Sequence, residues 1–484
     1  MNKLNVAIVW FRNDLRLQDH AALLRASRQK SLIPLYIWDP ETEGRWQAGE
    51  ASRWWLHHSL LDLDRELSKR NSRLIILCGN RLKIFETLIT KFKISSVFWN
   101  RSYEPDLHDS DTLVEDLLVR KGIQVEICRG NLITEPGEVL KDDGTPYLVY
   151  TAFWKRFLSN LELKLEPHGH KTESLPPLPP GVQGWGETLS KLNLLPAIPW
   201  DSAFSSYWKV SEQEAHVRLN TFLKNNIRGY QKQRDLPSVT GTSSLSPYLH
   251  FGQIHPARIF KSIQSQFGDV KKIEDPSIVQ FCKELVWREF AHHLLFHFPI
   301  LPELSMRKKF NKFPWKADEK KFNAWKKGMT GYPIVDAGMR QLWTTGWMHN
   351  RVRMIVASFL TKDLHIPWQE GAQWFWDTLL DADLANNTQG WQWTAGCGFD
   401  AAPFFRIFNP MTQGEKFDPG GVYIKTWCPE LKGLPEKWIH KPWMAPPKTL
   451  SDAGLRLGVD YPLPIVDHKL AREYSLEAFK KLQN

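Results

Sequence analysis

The sequence predicts a two-part fold, an N-terminal α/β domain with a five-stranded, doubly wound parallel sheet followed by an all-α C-terminal domain. Three observations predict it. Short apolar runs alternate with helical runs in the first part, a Pro- and Gly-rich stretch follows at 166–200, and strand-like runs disappear after about residue 205. We therefore divide the chain into an α/β domain at 1–135, an interdomain linker at 136–205 and a helical domain at 206–484.

The predicted strands of the first domain are short and rich in β-branched and aromatic residues, as is typical of strands that are buried on both faces. They lie at 6–11, 32–38, 73–78, 96–100 and 124–128, with helices at 20–30, 51–70, 82–93 and 109–121. No GxGxxG follows the first strand, so the pattern does not favour a nicotinamide dinucleotide site.

Helical periodicity dominates the second domain. The predicted helices are 211–227, 255–267, 277–298, 319–328, 334–345, 350–363 and 370–387. Beyond about residue 410 Pro and Gly recur, and the pattern becomes less regular.

Tryptophan and positive charge are concentrated in this helical domain. The chain has 23 Trp among its 484 residues, and 14 of them lie after residue 200. The residues after 200 also carry +9 of the total net charge of +10. Basic charge mixed with aromatic residues suits a phosphate backbone and base stacking, although a solvated lysine-rich face explains the charge equally well.

The five cysteines have neither metal-ligand nor disulfide spacing, and a reducing compartment fits them best. The chain starts without a signal-peptide pattern and has no run of about 18 apolar residues. We therefore expect a cytoplasmic protein of the bacterial cytosol, without a metal site, a membrane segment or an obligate protein partner. We expect it to be a monomer.

Three segments of the helical domain carry groups that suit a binding site. Helical spacing puts Glu284, Trp287 and Arg288 on one face, and it does the same for Asn350, Arg353 and Met354. An ion-paired surface stripe explains the first set as well, and a core helix with basic edges explains the second.

The third segment, 381–393, clusters Asp381, Asp383, Asn386 and Asn387 among aromatic residues. Buried carboxylates need partners, which a polar ligand or a nearby Arg can supply, whereas the absence of a suitably spaced His disfavours a metal. Trp391 and Trp393 are two residues apart, so their rings point in different directions, one to the interior and one to a cavity.

Upstream, Tyr230 and Arg234 lie one helical turn apart, and a hydroxyl-rich loop with Thr242, Ser243, Ser244 and Ser246 follows. Such a loop can hold phosphate groups, although Ser-rich loops are common.

Together these segments resemble the photolyase/cryptochrome family of blue-light flavoproteins. The resemblance runs from FRNDLRLQDH (11–20) through WREF (287–290) and TGYPIVDAGMRQL (330–342) to FFRIFNPMTQGEKFD (404–418). It is closest to DNA photolyases for cyclobutane pyrimidine dimers, and it implies an α/β domain, a linker and a helical domain that binds FAD.

The resemblance also implies roles for individual residues. Those expected to line FAD are Tyr230, Thr242, Ser243, Ser244, Leu245, Ser246, Arg288, Asn350, Arg353, Asp381, Ala382, Asp383 and Asn387. Those expected to act on the dimer are Glu284, Trp287, Met354 and Asn387, the last beside the flavin N5. Contacts to DNA are implied for Arg234, Glu284, Trp287, Asn350, Arg351, Trp393, Arg406 and Gln413. The family's electron-relay tryptophans match Trp391, Trp368 and Trp315.

The sequence departs from the family pattern at two positions. Ser244 stands where many members have Arg, which changes one contact beside the flavin. Leu107 stands about where some folate-binding members carry an acidic residue. A second, antenna chromophore is therefore expected without a choice between 5,10-methenyltetrahydrofolate and 8-hydroxy-5-deazaflavin.

The resemblance implies light-driven repair of UV-damaged DNA, in which reduced anionic flavin donates an electron to a flipped-out dimer. Asn387, Met354 and the short C-terminus favour repair over a signalling cryptochrome. A DNA-binding protein without flavin remains a rival, and so does an electron-transfer flavoprotein or a nucleotide-dependent synthase. Flavin absorbance of the purified protein would exclude a DNA-binding protein without flavin. The basic helical domain disfavours both the electron-transfer flavoprotein and the synthase.

Overall fold

The computed structural model describes residues 5–164, 174–182, 184–400 and 405–483. Its strands form one parallel sheet in the order β3-β2-β1-β4-β5. They are Val6–Phe11 (β1), Leu32–Trp38 (β2), Ile75–Cys78 (β3), Ile94–Asn100 (β4) and Gln124–Cys128 (β5). The predicted five-stranded, doubly wound sheet is confirmed.

Helices cover both faces of this sheet, which is why every residue of β1 and β2 is buried. The helices are Ala21–Ala26 (α1), Glu50–Ser68 (α2), Arg81–Lys91 (α3) and Pro105–Arg120 (α4). The chain reverses its direction across the sheet between β1 and β4, so loops at the carboxyl ends of these two strands form a crevice that faces the helical part.

A further helix, Tyr150–Lys164 (α5), lies inside the predicted linker, where the sequence pattern did not indicate one. Phe153 and Phe157 of this helix are fully buried. The first half of the predicted linker is therefore part of the core, whereas positions 165–173 and 183 of it lie outside the described residues.

The C-terminal part is helical, as predicted. Its longer helices are Glu212–Asn225 (α6), Pro256–Phe267 (α7), Pro276–His297 (α8), Glu319–Lys326 (α9), Pro333–Thr345 (α10), Asn350–Ser358 (α11), Trp368–Thr378 (α12), Leu384–Ala395 (α13), Pro410–Phe417 (α14) and His468–Lys481 (α15). Shorter helical segments include Tyr230–Gln233 and Ser246–His250.

The single helix predicted at 370–387 is wrong, because the chain breaks there into α12 and α13. Leu379 is extended, and Asp383 caps α13 by accepting a hydrogen bond from the Asn386 backbone N–H at 2.8 Å. The predicted helix at 350–363 also changes form, since α11 continues as a π-helical turn at Phe359–Asp363. The break between α12 and α13 turns polar side chains into the interior.

The α/β and helical parts share one hydrophobic core. Trp55 of α2 packs edgewise on Tyr248 and Trp208, with ring centroids 4.9 and 5.6 Å apart, and its Nε1 donates to Gln253 Oε1 at 2.9 Å. Part of the tryptophan excess therefore serves packing between the two parts, and this packing fixes the crevice of the sheet against the helices.

Candidate functional site

The helical part encloses a cavity of about 520 Å³ between α8, α11, α12 and α13. The predicted residues that line it are Tyr230, Arg234, Ser243, Leu245, Ser246, Glu284, Trp287, Arg288, Asn350, Arg353, Met354, Asp381, Ala382, Asp383, Asn387, Trp391 and Trp393. Four separate sequence segments thus converge on one space. Its volume is in the range of cofactor sites.

One wall of the cavity is a face of α8. Asp275 caps this helix and Pro276 begins it, so helical spacing brings Glu284, Trp287 and Arg288 to the same side. Glu284 is half-buried, forms an ion pair with Arg234 and accepts from Gln280 Nε2 at 2.6 Å. The negative charge of Glu284 and the positive charge of Arg234 therefore compensate each other at the cavity.

Trp287 is held from behind by a residue that the sequence did not indicate. The ring of Tyr150, at the start of α5, stacks on its indole with centroids 3.6 Å apart and planes inclined by 7°. The Tyr150 hydroxyl donates to the Lys283 carbonyl at 2.6 Å, one helical turn before Trp287. Tyr150 is buried and does not line the cavity, so the other face of Trp287 is available to it.

A buried carboxylate lies at the start of α13. Asp383 accepts from the Asn386 side chain at 2.6 Å, and its Oδ2 lies 3.2 Å from His292 Nε2 and 3.9 Å from His250 Nδ1. Burial alone would raise the pKa of Asp383, but His292 and His250 hold it well below the usual value. This group is therefore ionised at neutral pH and orders the two imidazoles.

A second acidic group pairs with α11. Arg353 donates from one terminal nitrogen to both oxygens of Asp381, at 2.8 and 3.1 Å, and from Nε to the Met348 carbonyl at 2.7 Å. Asp381 is buried, whereas Arg353 is partly exposed into the cavity. Guanidinium N–H groups thus remain for an anionic ligand.

Asn387 lies on α13 one turn after Asp383. Its Nδ2 donates to the Ala372 carbonyl of α12 at 3.0 Å, which leaves its Oδ1 as an acceptor at the cavity. Trp393 is partly exposed and lines the cavity, while Trp391 is 2% exposed and packs edgewise on Phe375 at 5.0 Å. Both indoles thus line the cavity and differ in burial.

Of the three matched relay residues, Trp391 and Trp368 are buried and Trp315 is partly exposed. Trp391 lines the cavity, Trp368 is buried and donates to Ser305 Oγ at 3.2 Å, and Trp315 is half-buried near the surface. Gly371 of α12 leaves no space beside Trp391 and lies three residues after Trp368. One of the three therefore lines the cavity and one reaches the surface.

The remaining predicted residues do not line the cavity. Thr242 and Ser244 belong to the loop beside it, and Ser244 has a left-handed backbone with φ 51°. Arg351 forms an ion pair with Asp235 at 2.9 Å and lies over Phe417. Arg406 is exposed, and the buried Oε1 of Gln413 has no hydrogen-bond partner among the described residues.

A smaller cavity of about 60 Å³ lies at the crevice of the sheet. Arg12, Tyr103 and Leu107 line its α/β side, and Arg288 and His292 line its other side. His250, Arg288 and Asp383 line both cavities, so the two spaces are neighbours.

Sequence reasoning missed the two histidines on Asp383, and it missed Tyr150. His292 follows Arg288 by four residues, so helical spacing could have found it. Tyr150 carried no such signal, because it lies in a segment interpreted as linker. Among the described residues no group of three or more His, Cys, Asp or Glu could hold a metal ion, and no helix is long and apolar enough to span a bilayer.

An α/β part joined to a helical part that encloses a large polar and aromatic cavity is typical of a class of two-domain cofactor-binding proteins. Comparisons identify the family within this class. A family model described as DNA photolyase matches residues 7–177, and one described as the FAD binding domain of DNA photolyase matches residues 281–481. The chain belongs to the photolyase/cryptochrome family, and its helical part is an FAD-binding domain.

Individual relatives agree over nearly the whole chain. It is 47% identical to a deoxyribodipyrimidine photo-lyase of Agrobacterium fabrum, covering 98% of this chain and 97% of the relative, and 38% identical to cryptochrome-2 of Arabidopsis thaliana, covering 98% and 78%. A crystal structure of a bacterial class III photolyase from Agrobacterium tumefaciens superposes with a TM-score of 0.93 at 46% identity, covering 100% and 98%. A cryptochrome of Synechocystis sp. gives 0.87 at 28% identity, covering 99% and 100%.

Proposed function

We propose that this protein is an FAD-dependent deoxyribodipyrimidine photolyase, which splits cyclobutane pyrimidine dimers in DNA with light. The observation that carries the proposal is one cavity in which ionic groups suited to FAD meet two accessible indoles and an acid, in a chain 47% identical to a deoxyribodipyrimidine photo-lyase. The acid is Glu284, and the indoles are Trp287 and Trp393.

The groups present fit FAD. Arg353 and Arg288 offer guanidinium donors for a diphosphate, Ser243 and Ser246 offer hydroxyl groups, and the buried Nε1 of Trp391 has no acceptor among the described residues. When bound in its reduced anionic form, the flavin supplies the electron that opens the cyclobutane ring. Asn387 would offer its Oδ1, a group without an acidic proton, beside the flavin N5.

The other half of the cavity suits a flipped-out dimer. Trp287 and Trp393 provide flat apolar surfaces, and Met354 adds an adaptable thioether contact. Glu284, if protonated or well bonded, would stabilise a pyrimidine carbonyl as negative charge develops on it. A damaged pair stacks poorly in a duplex, so extruding it costs less than extruding intact bases, which favours damaged sites.

Contacts to the DNA backbone are assigned to residues around the cavity. Arg351 and Arg406 carry the positive charge, Asn350 and Gln413 offer amide groups, and Arg234 becomes available when its pair with Glu284 opens. Domain boundaries near 135 and 205, a monomeric state and a cytosolic location belong to the same proposal.

We assign photoreduction of resting flavin to Trp391, Trp368 and Trp315, in that order. Trp391→Phe should slow the light-driven reduction of oxidised FAD, because the first electron donor is lost. The same variant, reduced chemically beforehand, should repair dimers at the wild-type rate. Loss of repair in the pre-reduced variant would contradict the assignment.

A second, light-harvesting chromophore also belongs to the proposal. A photolyase from Sulfolobus tokodaii has been solved with two FAD molecules. In this chain the small cavity beside Arg12, Tyr103 and Leu107 is the candidate position, although its present volume requires side chains to move. Absorption spectra of acid-released chromophores would distinguish a folate, a deazaflavin and a second FAD.

The decisive experiment follows repair in light. Purified protein is reduced, mixed with an oligonucleotide that contains one cyclobutane dimer, and illuminated, while its flavin spectrum is recorded. We expect the dimer to disappear only in the light. A flavin-loaded protein that leaves the dimer intact would instead support a signalling cryptochrome.

A further inference from the structure

The surface around Trp315 is strongly basic. Residues 307–327 contain nine basic and two acidic side chains, a net charge of +7 within a chain of +10. Seven of the nine are exposed, and the six that lie within eight residues of Trp315 are here called the basic surface: Arg307, Lys308, Lys309, Lys312, Lys316 and Lys320. Most of the excess charge of the protein is therefore local.

This charge is not neutralised by the protein itself. Within the described part of the chain, none of the six forms an ion pair, whereas the neighbouring Lys321 pairs with Asp318 at 3.3 Å. Nor does any residue of 307–327 line the main cavity. The basic surface thus serves neither an internal salt bridge nor the bound cofactor, and its potential extends into solvent.

Trp315 lies between Lys312 and Lys316 in this surface. Its indole donates to the Phe310 carbonyl at 3.3 Å and packs on Phe313 with ring centroids 4.5 Å apart. Phe310 is fully buried and packs on Phe479 of α15, so the segment has a fixed base. A partly exposed aromatic ring is therefore held in place within a lysine-rich surface segment.

We propose that the basic surface docks an acidic one-electron carrier protein, which returns an electron to Trp315 after each photoreduction step. The proposal rests on the relay proposed above. Light moves one electron from Trp391 to the flavin, and the vacancy passes through Trp368 to Trp315. The reduced carrier then transfers one electron to the oxidised Trp315. Two such photoreduction steps, together with one proton from solvent, convert FAD to FADH⁻.

Two features favour a carrier protein over DNA at this surface. Five of the six basic residues are Lys, whose compact, hydrated charge is suited to the electrostatic steering of a transient partner. Arg, by contrast, is the residue whose guanidinium forms paired hydrogen bonds with a phosphate group. Complexes between redox proteins are also small, so a short lysine cluster around one ring has sufficient area. DNA at this position would instead expose its bases to an oxidised indole.

The test measures photoreduction of the FAD-loaded protein with two donors. One is a reduced acidic flavodoxin, used as the probe carrier, and the other is dithiothreitol, which has no net charge. The variant is Lys308→Glu/Lys312→Glu/Lys320→Glu, and the matched control is Lys83→Glu/Lys93→Glu/Lys121→Glu, which reverses three exposed lysines of the α/β domain. Trp315→Phe is measured in parallel.

We expect the first triple variant to lose ~10-fold or more of the second-order rate with flavodoxin at low salt, which is the size of electrostatic steering. The rate with dithiothreitol should stay at the wild-type value, which also shows that the variant is folded. The control variant should match the wild type with both donors. Raising the salt concentration should remove the wild-type advantage with flavodoxin only.

Three results would overturn the proposal in distinguishable ways. In the first result, flavodoxin supports photoreduction of the triple variant at the wild-type rate, whereas Trp315→Phe is not photoreduced with either donor. This result rejects the docking surface but is consistent with the relay. Unchanged photoreduction of Trp315→Phe with both donors rejects the relay, and the docking proposal with it. Weakened binding of dimer-containing DNA by the triple variant, with an unchanged flavodoxin rate, assigns these lysines to the DNA backbone.

Discussion

Gly371 of α12 provides a direct test of how tightly Trp391 is held. A Cβ at this position would lie 2.1 Å from Cη2 and 2.5 Å from Cζ3 of Trp391, and 2.6 Å from Cδ2 of Leu360. Optimal carbon contacts lie at about 3.5–4.0 Å, so Gly371→Ala requires the indole to move by more than 1 Å. Trp391 is 2% exposed and packs on Phe375 with ring centroids 5.0 Å apart, so the indole can move only towards the cavity that it lines.

The cost follows from these distances. Overpacking of this kind costs about 1–3 kcal/mol, and the contact with a rigid ring favours the upper end. Replacing a helical Gly by Ala returns about 1 kcal/mol through helix propensity, which leaves a net loss of about 2 kcal/mol. With an unfolding entropy of about 2 cal/mol/K per residue, the melting temperature should fall by about 2 °C.

The assay compares Gly371→Ala with Gly390→Ala. Gly390 lies on α13 next to Trp391 in sequence, and a Cβ there would meet no atom within 4 Å. We expect Gly371→Ala to melt at a lower temperature and to photoreduce its flavin more slowly, because the first donor is displaced. Gly390→Ala should keep its photoreduction rate and gain up to about 1 kcal/mol. An unchanged melting temperature and an unchanged photoreduction rate in Gly371→Ala would refute this reasoning.

Three further predictions concern α8 and the tyrosine ring that stacks on it. Glu284→Ala should lower the repair rate by up to ~100-fold while changing the affinity for dimer-containing DNA much less; equal repair would remove its catalytic role. Tyr150→Leu should weaken binding of dimer-containing DNA by about 2- to 10-fold, because the stack on Trp287 is lost. Tyr150→Phe should bind dimer-containing DNA normally, and both variants should bind undamaged DNA normally. If Tyr150→Leu binds dimer-containing DNA as tightly as the wild type does, the positioning role of Tyr150 is rejected. Burial raises the pKa of Glu289 from 4.5 to about 7. Between these two pH values the native protein therefore holds a proton that the unfolded chain has released. The free energy of unfolding should consequently fall by about 3 kcal/mol as the pH rises from about 4.5 to about 7. Glu289→Gln should remove that part of the slope in denaturant titrations, and an identical slope would contradict the shift.

The sequence predicted the sheet well because a parallel sheet is specified locally. Each strand is a continuous apolar run bounded by helical segments, and this pattern needs no distant partner to be recognised. The same local rule found the face of Glu284, Trp287 and Arg288, since residues three and four apart must share a side of any helix. It failed at the break after Thr378, where apolar periodicity continued through a capping Asp383.

What the sequence could not predict are contacts between distant segments. Tyr150 stacks on Trp287 although nothing in either segment indicates the other, and their contact depends on the docking of α5 against α8. His250 reaches Asp383 from a different short helix for the same reason. Such pairings are determined by the packing of whole elements, so a periodicity argument cannot find them.

The ion pair between Arg234 and Glu284 connects DNA binding with the chemistry at the dimer. The sequence assigned one residue to the phosphate backbone and the other to the lesion, yet the structure joins them, with Gln280 as a second donor to the acid. A phosphate that takes Arg234 leaves the half-buried Glu284 carboxylate without its main partner, which is costly unless another donor replaces it. The N–H groups of a flipped-out pyrimidine pair would supply such a donor, whereas undamaged DNA, whose bases stay stacked, offers none in the cavity. Damaged DNA would therefore gain more than undamaged DNA from breaking the pair.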